Sequence, residues 1–127
     1  MFIHKFLNNI KKNKTINLYN NGLNYRDFTY VGDVAKILNL CIKKNLTGKV
    51  INISRCSPIR TDKLAQLLSG FFFKKKVNIK KIPPVRGEML RTHGSNKKLL
   101  KYFGNIKFTN IRIGLKKTIS AFKISGF

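Results

Sequence analysis

Acidic side chains are the scarcest component of this sequence. The 127 residues contain only four Asp and Glu against 27 Lys and Arg, which gives a formal net charge of +23. Tryptophan is absent, and cysteine and histidine occur twice each, as Cys41, Cys56, His4 and His93. Four such residues scattered along the chain do not have the spacing of a zinc site or of a disulfide framework. We therefore expect no bound metal and no need for an oxidising compartment.

Long hydrophobic runs are also lacking. No apolar stretch approaches the ~20 residues that a membrane-spanning helix needs, and the start, Met1–Lys5, is too soon interrupted by polar residues for a secretory signal. The hydrophobic content of 43% is typical of a globular chain rather than a disordered one. We therefore expect a cytoplasmic chain without membrane contact, in which residues 1–127 form one domain at most, with no internal boundary.

The excess of positive charge has two interpretations. It favours a polyanionic partner such as nucleic acid. However, Lys, Ile and Asn together supply 50 residues whereas Arg supplies only six. A surface selected to bind phosphates would use Arg more heavily, because its planar fork binds oxyanions with two hydrogen bonds. AT-rich codons explain the same composition, so we favour compositional drift over specific nucleic-acid binding and keep a basic nucleic-acid-binding module as the alternative.

The spacing of apolar residues predicts a mixed α/β order along the chain. We expect helices at residues 2–13, from 33 onwards, from 61 or 62 to 71, and near both 97–103 and 113–122, and strands at 16–19, 49–53 and 76–82. Asp33 is expected to cap the second helix, and Thr61 or Asp62 the third. Phe71–Phe73 is apolar on every side, which predicts packing against something outside this chain.

One stretch, Gly22–Val34, carries the most specific pattern. It resembles the G-x-x-x-R-D-F-x-Y-[VI]-D-D-[VI] segment of nucleotide-sugar epimerases and dehydratases, which are extended short-chain dehydrogenase/reductases that bind NAD. The resemblance is strongest to UDP-glucuronate 4-epimerases, also described as capsular polysaccharide biosynthesis proteins. It implies that Arg26 contacts the diphosphate of a UDP-sugar. Gly32 stands where the family has an Asp, which leaves the local contacts of that position open.

Three further segments carry the resemblance. Lys14, Ile16, Tyr19 and Gly22 fall in step with a family segment whose backbone, around Asn17 and Tyr19, holds the uracil ring. A core-packing role for Tyr19 remains equally open. Val50–Ile59 resembles [VY]-Y-N-I-G-x-x-x-P-[VI], which matches Asn52 to an Asn near the diphosphate.

In the segment Val50–Ile59, Ser54 replaces a Gly of the family pattern, which implies backbone strain if the position needs a positive φ. An ordinary strand-end role for Asn52 also stays open. Val85–Thr92 resembles R-x-G-D-x-x-x-T, but the diphosphate-binding Arg is displaced by one residue to Arg86. After this segment the Ala-Asp of the family appears as Gly94–Ser95.

Two motifs of the family are not in this sequence. None of the four tyrosines has Lys four residues later, and the nine glycines form neither G-x-x-G-x-x-G nor G-x-G-x-x-G. The Tyr-Lys pair would supply the catalytic base and the glycines the NAD site. The fold class implied is α/β: the last strands and helices of a Rossmann sheet with a small substrate-binding subdomain, without the N-terminal half.

The resemblance therefore implies a UDP-sugar-binding part of a 4-epimerase that does not catalyse alone. Its implied partners are a UDP-sugar, a separately encoded Rossmann half and a second copy in a homodimer, and a dimerisation or scaffold module is the further alternative. Replaced family carboxylates such as Ser95 favour an eroding remnant over a working split enzyme.

Overall fold

The computed structural model describes residues 2–72 and 77–124, with the side chains of the last two of these excepted. Five α-helices and four short strands make up the described part of the chain. The elements are α1 Phe2–Lys11, β1 Ile16–Leu18, β2 Tyr25–Arg26, α2 Val31–Lys43, β3 Ile59–Arg60, α3 Thr61–Gly70, β4 Ile79–Lys81, α4 Lys97–Phe103 and α5 Ile111–Ile124.

The core lies where α1, α3 and α5 meet around β1. In each helix the apolar residues recur three or four positions apart, so that they form one stripe facing inward. In β1 the period is two, which turns Ile16 and Leu18 into the core and leaves Asn17 exposed. The buried cluster comprises Phe6, Leu7, Ile10, Ile16, Leu18, Leu64, Ala65, Leu68, Leu115 and Ile119.

Two small sheets tie the loops to this core. β1 and β4 are parallel, with Ile16 opposite Ile79. β2 and β3 are antiparallel, with Arg26 opposite Ile59. An isolated parallel bridge also joins Tyr25 to Arg91. Because β2 is held from both sides, the backbone of Arg26 has a fixed position at the edge of the core.

Both predicted helix caps are wrong. The residue before α2 is Tyr30 and the residue before α3 is Arg60, and neither helix has a side-chain cap. Asp33 and Asp62 instead lie inside the first turn of their helices. There the negative charge of a carboxylate is stabilised by the positive end of the helix dipole, but the carboxylate does not occupy the cap position. The carboxylate of Asp33 accepts hydrogen bonds from the N–H and the Oγ1 of Thr109, both at 2.7 Å, and so joins α2 to the residues before α5.

The buried strand predicted at residues 49–53 is also not observed. The structure assigns no strand there, and Val50 is 82% exposed. Within the described residues, no backbone–backbone hydrogen bond involves this segment. A strand exists only with a neighbour to pair with, so a sequence that favours a strand stays irregular where no neighbour is present.

One smaller expectation is corrected as well. Ser54 does not have a positive φ; the non-glycine residue with a left-handed conformation in this segment is Cys56, at φ 54°. The strain expected at Ser54 is therefore absent. Phe71 and Phe72 are partly buried against the core of this chain, and Phe73 lies outside the described residues, so packing of this run against something outside the chain stays a prediction.

Candidate functional site

A cleft of about 590 Å³ opens between the β1 and β2 segments and the N-terminal ends of α1 and α5. Its lining includes Asn17, Tyr19 and Arg26, three of the five residues that the sequence assigns to substrate binding. Glu88 and Thr92 border the cleft near Arg26. The volume lies in the range typical of ligand sites. The fold therefore gathers one arginine, several aromatic rings and several polar side chains around one concave surface.

Arg26 is the cation of this cleft, and its guanidinium is only loosely held. Nη1 donates to the carbonyl oxygen of Tyr25 at 2.8 Å, and Nη2 lies 3.7 Å from Oε1 of Glu88. The two paired side chains are about a quarter exposed. Since a guanidinium carries five N–H donors, Arg26 keeps hydrogen-bonding capacity for an anion in the cleft.

Asn17 and Tyr19 form the wall next to Arg26. The alternation of β1 places Asn17 on the face opposite the core, and Tyr19 follows the strand with 47% of its surface exposed. A tight turn then reverses the chain, with Asn20 and Asn21 both left-handed. Gly22 is needed in this turn, because its φ is 82° and a Cβ would lie 2.8 Å from Cβ of Asp62.

Asp27 fixes the strand that carries Arg26. Its carboxylate accepts hydrogen bonds from the Ser54 hydroxyl at 2.6 Å, from the Gly94 N–H at 3.1 Å and from the Ser57 N–H at 3.3 Å. Its own N–H donates to Oγ1 of Thr92 at 3.1 Å. Asp27 therefore joins β2 to two loops that are distant in sequence, and this network holds the backbone beside Arg26.

These contacts also change the acidity of the carboxyl group. Burial by itself raises the pKa of Asp27, but the hydrogen bonds from Ser54, Gly94 and Ser57, with the nearby charge of Arg55, outweigh burial and hold the pKa below its ordinary value. Asp27 is therefore a carboxylate throughout the neutral range, and its negative charge stabilises the network.

The other two predicted site residues lie elsewhere. Asn52 and Arg86 are exposed and do not line the cleft. Arg86 lies in a turn after β4, and Asn52 lies in the irregular segment before Ser54. The structure thus does not bring them together with Arg26, and their contacts with a diphosphate stay predictions.

The local sequence pattern around Asp27 does not reveal its role, but the scarcity of acidic residues in the chain points to it. In a chain with only four acidic residues, each of them makes a polar contact: Asp27 with Ser54, Asp33 with Thr109, Asp62 with Arg60, and Glu88 with Arg26. The scarcity of a residue type is thus a guide to the positions where it is needed.

Within the described residues, the structure shows no glycine-rich turn of the kind that binds NAD. Pyrophosphate binding requires a glycine-rich turn between a strand and the N-terminus of a helix. Among the described residues, no glycine stands at the junctions from β2 to α2 or from β3 to α3 before the helix begins. The described positions also hold no group of three His, Cys, Asp or Glu side chains suited to a metal ion. In the same part of the chain, no helix combines the length and the apolar character that a membrane span requires.

Sequence comparisons agree with the resemblance noted above. Residues 1–54 match the model of the NAD dependent epimerase/dehydratase family. The chain is 32% identical over 117 residues to an uncharacterized protein of Methanocaldococcus jannaschii, a match that covers 92% of this chain and 36% of that protein. It is 29% identical over 131 residues to UDP-glucuronate 4-epimerase 2 of Arabidopsis thaliana, covering 90% of this chain and 30% of that enzyme.

The chain is thus similar to the NAD dependent epimerase/dehydratase family over residues 1–54, and to a UDP-glucuronate 4-epimerase over 90% of its length. It spans about a third of the length of these curated relatives. Among solved structures, MoeE5 in complex with UDP-glucose and NAD superposes with a TM-score of 0.83, at 22% identity over 100% of this chain and 42% of that one. This likeness shows the fold of an extended short-chain dehydrogenase/reductase, and the described elements correspond to its C-terminal portion.

Proposed function

We propose that this chain forms the nucleotide-binding wall for a UDP-sugar in a 4-epimerase of the UDP-glucuronate type. Arg26 binds the diphosphate, and Tyr19 and the backbone beside Asn17 hold the uracil ring. The observation that carries the proposal is the convergence of these three residues on one cleft of about 590 Å³. The relative named as a UDP-glucuronate 4-epimerase and the structure titled with UDP-glucose support this class of ligand.

Arg26 is the group of the cleft that can bind a diphosphate, and the lining also holds two carboxylates, those of Asp27 and Glu88. Nη2 of Arg26 lies 3.7 Å from the Glu88 carboxylate, which is longer than a hydrogen bond, so an anionic ligand competes with a weak internal contact. A bidentate Arg–phosphate contact is among the stronger polar interactions in proteins. Asp27 keeps the strand of Arg26 in place, so that binding does not have to order the backbone first.

The oxidation and reduction that an epimerase performs require groups outside this sequence. Tyr-x-x-x-Lys and the glycine-rich turn are not present, so this chain binds and orients the nucleotide without transferring hydride. NAD, the cofactor of the family, is bound by another part of the functional enzyme. We propose that this part is a Rossmann half, on the same or on a separate polypeptide.

Titration calorimetry of the full chain with UDP tests the binding step. Arg26→Ala is expected to weaken UDP binding about tenfold to a hundredfold, because a hydrogen bond to a charged group contributes about 1.5–3 kcal/mol. Arg112→Ala is the matched control, since Arg112 is exposed on α5 outside the cleft and carries the same charge. Its substitution should leave UDP affinity unchanged.

Two outcomes would contradict the proposal. If Arg26→Ala and Arg112→Ala weaken binding equally, the interaction is non-specific attraction to a basic surface. If uridine binds as tightly as UDP, the diphosphate makes no contact with Arg26. Arg86→Ala, measured in the same series, shows whether the exposed Arg86 adds a second diphosphate contact.

A further inference from the structure

The cleft is short of positive charge for a diphosphate. Among the described residues, the charged side chains of its lining are one arginine, Arg26, and two carboxylates, Asp27 and Glu88, with His4 counted as neutral. Oε2 of Glu88 is buried and has no hydrogen-bond partner in the same part of the chain. A diphosphate adds further negative charge beside these carboxylates, and charges in a partly buried site are screened only weakly by salt. A second cation is therefore needed to hold this ligand firmly.

The pairing of β1 with β4 places a lysine beside the cleft. Asn17 lines the cleft and lies directly opposite Lys80 in the parallel ladder. Directly paired residues point to the same face of a sheet, and neighbouring strands lie about 4.8 Å apart. Because Ile16 and Leu18 turn into the core, Asn17 and Lys80 share the opposite face. The side chain of Lys80 therefore begins at the rim of the cleft.

The ammonium group of Lys80 is available to a ligand. Lys80 is exposed, and in residues 2–72 and 77–124 no hydrogen bond or ion pair engages its side chain. A lysine stem is long and flexible, so its ammonium can swing across the rim. Two other basic residues are placed less well. Nζ of Lys117 lies 5.5 Å from the centre of the Tyr30 ring in a cation–π contact, and Arg86 does not line the cleft.

We propose that Lys80 is the second cation of the nucleotide site and folds over the rim when a diphosphate binds. Arg26 approaches the phosphates from β2, and Lys80 approaches them from β4. An ammonium acts on phosphate as a rotatable point charge, so it does not need the fixed planar geometry of a guanidinium. This inference rests on the proposed function, because its ligand is the diphosphate that Arg26 binds.

Titration calorimetry of the full chain with UDP tests the role of Lys80. Lys80→Ala is expected to weaken UDP binding about threefold to tenfold, which is the scale of an ion pair made by an exposed lysine. Lys80→Arg keeps the charge and should retain most of the affinity. Lys81→Ala is the matched control, because Lys81 is also exposed on β4 but lies opposite Leu18, on the other face of the sheet. Its substitution should leave UDP affinity unchanged.

Uridine separates an effect on phosphate from an effect on the nucleoside. Because uridine has no phosphate, the wild-type chain and Lys80→Ala should bind it equally. A loss of uridine affinity as large as the loss of UDP affinity overturns the inference, and so do equal losses of UDP affinity for Lys80→Ala and Lys81→Ala. UDP binding that Arg26→Ala weakens and Lys80→Ala leaves unchanged overturns this inference alone. Failure of the wild-type chain to bind UDP overturns both proposals.

Discussion

Gly94 lies against Ser54 so closely that the two positions cannot both carry larger side chains. A Cβ built on Gly94 would stand closer than 3.0 Å to both Cβ and Oγ of Ser54, a separation that real Cβ atoms do not show. Ser54 cannot move away freely. Its N–H donates to Oδ1 of Asn96 at 3.0 Å and its hydroxyl donates to Asp27 at 2.6 Å. The family pattern noted above has Gly at position 54 and Ala at 94. In this chain the side chain at 54 is larger and the one at 94 is smaller, and the two positions are in contact with each other.

The prediction is that the two positions are energetically coupled. Gly94→Ala alone should destabilise the fold by about 1–3 kcal/mol, the usual cost of overpacking. Ser54→Gly alone should also destabilise, because it removes a hydrogen bond to a charged carboxylate, which contributes about 1.5–3 kcal/mol. The double variant should be more stable than the sum of the two by about 1–3 kcal/mol, since Ala at 94 then occupies the space that Ser54 leaves.

Urea unfolding followed by far-ultraviolet circular dichroism measures all four members of this cycle. Gly70→Ala is the control, because a Cβ at Gly70 meets nothing within 4 Å and should cost little. Additive effects at positions 54 and 94 would refute the steric reasoning. A measured coupling would instead indicate that these departures from the family pattern preserve the fold, which argues against an eroding remnant.

Two further predictions concern the carboxylates. Asp33→Ala removes both hydrogen bonds from Thr109 and is expected to cost about 1–3 kcal/mol in urea unfolding; Thr109→Val, which removes one, should cost less, and equal costs would contradict the assignment. Asp27 has a pKa below its unfolded value of about 3.9, so its stabilisation is present above that pH and is lost as pH falls through the folded pKa. Asp27→Asn is therefore expected to flatten the loss of stability below about pH 4 in acid titration, and an unchanged acid limb would disprove this role.

The helices could be predicted from the sequence because their periodicity is local. Phe6, Leu7 and Ile10 repeat on one face, and α1 begins and ends within two residues of the predicted bounds. The caps could not be predicted, because α2 begins two residues before Asp33. Thr61 likewise became the first residue of α3 rather than its cap. The start of a helix depends on the backbone of the preceding residue, which short-range patterns do not determine.

The candidate site likewise has a part that could be predicted from the sequence and a part that could not. Arg26, Tyr19 and Asn17 were predicted from continuous motifs, and the structure gathers them because they lie on two strands consecutive in sequence and on the turn between them. The network of Asp27 joins residues up to 67 positions apart, and no local pattern reveals a contact of that separation. The segment at residues 49–53 has the composition of a strand, but its pairing depends on a neighbour that the described residues do not supply.

The engagement of all four acidic residues has a consequence for the rest of the surface. In the described part of the chain, both salt bridges involve arginines and neither involves a lysine. The lysine ammonium groups must therefore draw their counter-charge from dissolved anions, which gather as a diffuse atmosphere with a screening length of about 10 Å at 0.1 M salt. Dilution of the buffer thins this atmosphere and increases the mutual repulsion of the lysines. The salt concentration of the solution therefore sets how strongly the lysines of the folded chain repel one another.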